Sequence, residues 1–218
     1  MKSSSTIIAS IHASRNTLLA YAERLNYNVD DYTGTSIAEI NAMHTNDQLD
    51  MIITNNENDP VTGNPQKIYI QYHIRSLLRN AAAALDSTYN DLFVLNDILS
   101  KNDTLIIVID GDVNDTVQTI LKDMYEKYKV LISVQSLKNL QFNIFENDNV
   151  PKHTIVSETE SNVIAKKYNI MNNSQYPNIS RFDPAAQAMC MHPGQLCMIN
   201  RKSNNAMFQI MYRVCINL

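Results

Sequence analysis

The sequence predicts two α/β domains, an N-terminal α/β domain at residues 1–146 and a small C-terminal mixed α/β domain at residues 147–218. Three observations point that way. The run Thr104-Leu105-Ile106-Ile107-Val108-Ile109 is continuously apolar, as a strand buried on both faces should be. A helix-compatible stretch at 117–128 and a second apolar run at 130–134 follow it, and strand, helix, strand in that order implies a right-handed parallel crossover. Finally, the polar break Glu146-Asn147-Asp148-Asn149 coincides with a change of charge. Residues 1–149 carry 11 Lys and Arg against 19 Asp and Glu, a net of −8, while residues 150–218 carry 7 against 3, a net of +4.

The elements follow in order. Ile7, Ile8, Ile11, Leu18, Leu19, Ala22 and Leu25 recur near helical spacing, so the chain is expected to open with a long amphipathic helix over 6–25. Ser36 and Glu39 have the spacing of a capping box, which starts a second, short helix. Residues 49–53 and 67–72 read as two strands of a hairpin across a segment dense in Asn, Pro and Gly. Residues 81–85 and 92–99 are helix-compatible, Asn114 or Asp115 caps the helix before 117, and 140–145 is expected to add one more strand. In the C-terminal part, Ser157 caps a helix over 158–168. Asp183-Pro184 gives cap and first-turn proline for a helix reaching Met191. Two strands, 195–201 and 206–216, form a hairpin across Lys202-Ser203-Asn204-Asn205.

Composition narrows the function. The 218 residues are 44% hydrophobic and 18% charged, ordinary for a globular protein, and no apolar run approaches the roughly 20 residues that span a bilayer. Neither a membrane span nor a signal peptide is read. The three cysteines, Cys190, Cys197 and Cys215, form no even-numbered framework, which fits a reducing, intracellular compartment without disulfides. An acidic first domain is a poor autonomous DNA binder, because non-specific affinity comes from Lys and Arg neutralising phosphates.

Few side chains suggest chemistry. Asp110 and Asp112 stand at the end of the buried strand, where a carboxylate pair could hold Mg²⁺ for a nuclease-like reaction, yet Asp-Gly-Asp is also an ordinary polar turn with no Lys or His nearby in sequence. Cys190, His192, Cys197 and Cys215 offer soft ligands for a zinc-binding interaction module, but their spacing matches no C-x2-C pattern, and buried thiols are the simpler reading. Met189, Met191, Met198, Met207 and Met211 crowd the same region and read mostly as core, with Met207 left open. The four glycines are isolated, so no phosphate-cradling loop is present, and no catalytic residue or cofactor is expected.

The last third carries an ordered series of motifs. These are Val150-Pro151-Lys152-His153, Pro177-Asn178-Ile179, Asp183-Pro184-Ala185-Ala186, Gly194-Gln195, Arg201-Lys202-Ser203, Ala206 and Tyr212-Arg213-Val214. The series resembles the fifth-subunit family of multisubunit DNA-directed RNA polymerases, which has archaeal, eukaryotic and viral members. From Asp183 to Val214 the match runs without a gap. The departures are Gln187, Ala188, Met189 and Cys190 where the family has Arg-Tyr-x-Gly, Asn205-Ala206-Met207 where it has Thr-Ala-Gly, Lys202 for a common Pro, and Cys197 at a β-branched position. Such drift, with heavy use of asparagine, suggests a large DNA virus as source.

The resemblance implies a non-catalytic subunit whose C-terminal assembly domain packs on the largest subunit and its neighbours through Pro151, His153, Pro177, Asp183, Pro184, Gly194, Arg201, Ser203, Ala206, Tyr212 and Arg213. Its N-terminal domain would form the lower jaw and help hold downstream duplex DNA, within the complex only, through the turn at Thr116. Family members write that turn Thr-Pro-Ser-Ala; here the proline is missing and Asp112 and Asp115 repel phosphate. No membrane and no homo-oligomer are implied. The setting would be the virion and host cytoplasm if viral, the nucleus if cellular.

Overall fold

The computed structural model describes residues 4–59, 63–74, 81–203 and 206–218. The chain divides into two compact units, Met1–Asn143 and Ile144–Leu218.

The first unit is organised on a sheet of four strands in the order β1 (Met51–Asn58), β2 (Pro65–His73), β3 (Thr104–Ile109), β4 (Leu131–Ser136). β1 and β2 are the antiparallel hairpin that the sequence predicts, and β2–β3 and β3–β4 are parallel. All six residues of β3 are buried, as expected for a central parallel strand covered on both faces. The Asp103 carboxylate closes the entry to β3, accepting from the backbone N–H groups of Lys67 at 2.7 Å and Ser100 at 2.6 Å. Helix α1 (Ser4–Arg24) buries Ile8, Ile11, Leu18, Leu19 and Ala22. Its Arg15 is buried as well; Nη1 donates to the Leu49 carbonyl at 2.6 Å, and burial lowers the guanidinium pKa.

Helix α2 (Ile37–Thr45) begins with the predicted capping box of Ser36 and Glu39. Helix α3 is Ala81–Tyr89, and α4, the crossover between β3 and β4, is Asp115–Tyr128 with Val117, Leu121 and Met124 buried along one face. The α4 cap is Asn114, whose side chain accepts from Val117 N at 3.0 Å.

Two expectations for this unit fail. Residues 92–99 do not continue as helix: 90–95 form a wide π-helical turn, the Leu92 carbonyl accepts from both Ile98 and Leu99, and Asp97 at φ +49° ends the run. Residues 140–145 form no strand. Leu140 is buried but Phe142 is exposed, and Ile144–Glu146 closes as a 3-10 turn, so the alternating pattern finds no neighbouring strand to pair with.

The second unit holds a sheet in the order β5 (Lys152–Ile155), β7 (Leu196–Lys202), β8 (Phe208–Ile216), β6 (Asn178–Ser180). The β7–β8 hairpin is as predicted, although its Asn204-Asn205 turn lies outside the described residues. The sequence predicts neither β5 nor β6. Each is short and buries one side chain, His153 and Ile179, too little to leave a period-two signal. Helix α5 (Glu158–Tyr168) starts with the Ser157 cap, reinforced by Glu160. Helix α6 (Pro184–Ala188) is shorter than predicted; it stops before Met191 because Cys190 turns left-handed at φ +50°. One face of the sheet buries Leu196 and Val214 against Tyr176, with Ile164 of α5 packed alongside. The other buries Cys197, Ile199 and Cys215. Among the described residues no helix is long and apolar enough to cross a membrane.

Candidate functional site

The motif residues of the last third meet inside the second unit, and nearly all of them brace it. The Pro151 carbonyl accepts from His153 Nδ1 at 2.7 Å, which orients a buried ring on β5 opposite Ile199. The Pro177 carbonyl accepts from Val214 N at 2.9 Å, and Arg213 Nη1 donates to the Asn178 carbonyl at 3.1 Å. These two bonds, one from the backbone and one from a side chain of β8, tie the start of three-residue β6 to it. Asp183 caps α6, accepting from Ala185 N at 2.9 Å behind the first-turn Pro184. Gly194 adopts φ +98° and donates to the Cys215 carbonyl at 2.8 Å; no atom lies near enough to obstruct a Cβ there, so the backbone angle alone demands glycine.

The remaining motif residues lie on the hairpin. Arg201, exposed on β7, reaches Gln209 Oε1 across the ladder at 3.1 Å. Ser203 and Ala206 flank the hairpin turn, and the Tyr212 ring lies 6.0 Å from that of Tyr168 on α5.

Cys190 stands at left-handed φ, which gives the physical reason for the family's glycine there. Burial pushes the Cys190 and Cys215 thiols up to about 12 and raises Cys197 as well. His192 is lowered, first by burial and then by the charge of Arg181. Among the described residues no group of three or more His, Cys, Asp or Glu is placed to hold a metal ion, so nothing supports the zinc-module reading. Cys197 and Cys215 are buried thiols in the core, and Cys190 is half-buried. Met189 and Met191 are buried as expected, whereas Met207 is 85% exposed and is not core.

In the first unit both Asp112 carboxylate oxygens accept from Lys138 Nζ, at 3.0 and 3.1 Å. Asp112 has no basic neighbour in sequence because Lys138 lies 26 positions away; the parallel β3–β4 pairing brings it back. A carboxylate occupied in this way does not support the Mg²⁺-nuclease reading. Thr116 is exposed in the first turn of α4, one residue beyond Asp115.

The second unit is thus a scaffold domain, in which the motif residues supply caps, turns and cross-braces. The family profile described as RNA polymerase Rpb5, C-terminal domain, matches residues 142–215. The DNA-directed RNA polymerase subunit Rpo5 of Thermococcus kodakarensis is 42% identical over 76 residues, 35% of this chain and 92% of that protein; its Pyrococcus abyssi counterpart is 41% identical over the same shares. The RPABC1 subunit of RNA polymerases I, II and III from Caenorhabditis elegans is 29% identical over 111 residues, 51% of each chain. The chain belongs to the Rpb5 family, the non-catalytic fifth subunit of DNA-directed RNA polymerases.

Proposed function

We propose that this chain assembles on the largest polymerase subunit through its C-terminal unit, forms the lower jaw with its N-terminal unit, and helps hold downstream duplex DNA during transcription. The observation that carries the reading is the near-complete coverage of the archaeal Rpo5 subunit, whose 76 matched residues leave room for a counterpart of one unit only. The eukaryotic match of 111 residues is longer than the 75 residues from Ile144 to Leu218, which supports a counterpart of the first unit in those relatives. Nucleotide addition belongs to other subunits.

The DNA contact is assigned to the start of α4. The Val117 amide is taken by Asn114, leaving the amides of Asp115 and Thr116 and the Thr116 hydroxyl for a phosphate. Pairing with Lys138 offsets the charge of Asp112, which the sequence alone counts as repulsive. With the N-terminal part at −8, the contact adds to a duplex that basic neighbours have already positioned. Polymerase assembled without residues 1–146 should form elongation complexes that dissociate at lower salt. Equal salt resistance would remove the DNA role and leave a scaffold.

The motif departures and asparagine-rich sequence support a large-DNA-virus source, with the polymerase intracellular and carried in the particle. Detection of the chain in purified virions tests this, and its absence from them would count against packaging.

A further inference from the structure

The braces described above are used within the fold, and they leave part of one face of the C-terminal sheet without an assigned role. On β7 and β8 the cross-strand pairs Leu196–Val214, Met198–Tyr212, Asn200–Ile210 and Lys202–Phe208 share that face. α5 covers the first part of the row, where Leu196 and Val214 are buried with Tyr176 and half-buried Tyr212 packs against them beside Tyr168. Beyond it a groove of about 470 Å³ opens between α5 and the sheet, lined by Thr154, Val163, Ile164, Met198 and Tyr212 among others. Past the groove Ile210 is 54% and Phe208 59% exposed, and Val163 on the opposite wall is 66% exposed. Isolated apolar side chains at a surface mean little, but a contiguous groove and strip of this kind marks a binding surface.

Charge indicates what fits it. Residues 184–218 contain no Asp or Glu, and the row carries Lys202 beside Phe208 and, across β5, Lys152 opposite Asn200. The one carboxylate lining the groove, Glu160, is already committed to the Ser157 cap through N–H and Oγ at 3.3 and 2.9 Å. We infer that this face, from Val163 through Met198 and Tyr212 to Ile210 and Phe208, seats an apolar polypeptide segment flanked by Asp or Glu, contributed by the polymerase subunit on which the chain docks. The inference rests on the polymerase-subunit reading and specifies the surface of that assembly. Tyr212 apart, it moves docking off the motif residues, which build the domain, and onto the exposed hairpin side chains Phe208 and Ile210.

The full-length chain, tagged and expressed in its own transcription system, supplies the test. Phe208→Glu with Ile210→Glu should lower recovery of polymerase subunits by roughly ten-fold or more, because a charge would be forced into an apolar contact. The same change at exposed Val94 and Leu95 in the other unit should leave recovery unaltered, and all variants should melt like the parent. Zero-length carbodiimide coupling of the unmodified assembly joins amines to carboxylates, and should link Lys152 or Lys202 to an Asp or Glu of a polymerase subunit. Full recovery with the double variant, or coupling of these lysines only to a second copy of this chain, would overturn the inference while leaving subunit membership intact. Failure of the parent chain to recover any polymerase subunit would instead overturn the reading beneath it. If the double variant unfolds, the coupling result decides alone.

Discussion

Cys190 shows how one residue records both ancestry and cost. A side chain at φ +50° pays roughly 1 kcal/mol that glycine avoids, while its half-buried thiol returns some packing. Cys190→Ala loses the thiol and keeps the strain; Cys190→Gly loses the thiol and sheds the strain. Glycine should therefore be the more stable variant by about 1 kcal/mol in denaturant titration. With their pKa near 12, Cys190 and Cys215 should also resist alkylation at mildly alkaline pH in the native protein and react once it unfolds. His192 carries an opposite sensitivity. Its pKa is held below 6.5, so on acidification the unfolded chain takes up a proton that the folded chain refuses. That contribution to stability is complete above the unfolded value and is lost as pH falls toward the folded one. His192→Gln should remove part of the destabilisation that sets in as pH falls below about 6.5.

Short elements in the second unit depend on single bonds. α6 has five residues, and its Asp183 cap should be worth about 1 kcal/mol, read as a lower melting temperature in Asp183→Ala. Arg213→Ala takes the donor from the Asn178 carbonyl and should loosen β6 by a similar amount, about 1 kcal/mol, without unfolding the unit. An unchanged melt would leave that bond without a structural role.

Elements whose signals are local were legible in the sequence. The capping box at Ser36, the Ser157 cap, the α1 stripe, the apolar β3 and the proline-marked start of α6 each lie within a few residues. What was not legible depends on distant partners. β5 is a strand because β7 lies beside it, Asp112 is paired because β4 returns Lys138, and residues 140–145 stay irregular because no strand meets them. The alternation of Phe208, Ile210 and Tyr212 resembles that of a buried face; α5 is too short to cover it, and only the fold reveals that this part stays open.

At the scale of the whole molecule, charge and family organisation agree. The net-positive C-terminal unit is the part matched by the Rpb5 profile, and the acidic N-terminal unit cannot supply the cations that free duplex binding requires. The lone chain should therefore show no measurable DNA binding at physiological salt by fluorescence anisotropy, and tight binding would contradict the division of roles. A fragment of residues 144–218 should fold alone, since its core, caps and braces lie within it. The most direct test of the central claim is affinity purification of the full chain from its native transcription system, with quantification of the co-purifying proteins. The account predicts the largest RNA polymerase subunit in near-equal amount to this chain; recovery of the chain without any polymerase subunit would contradict it.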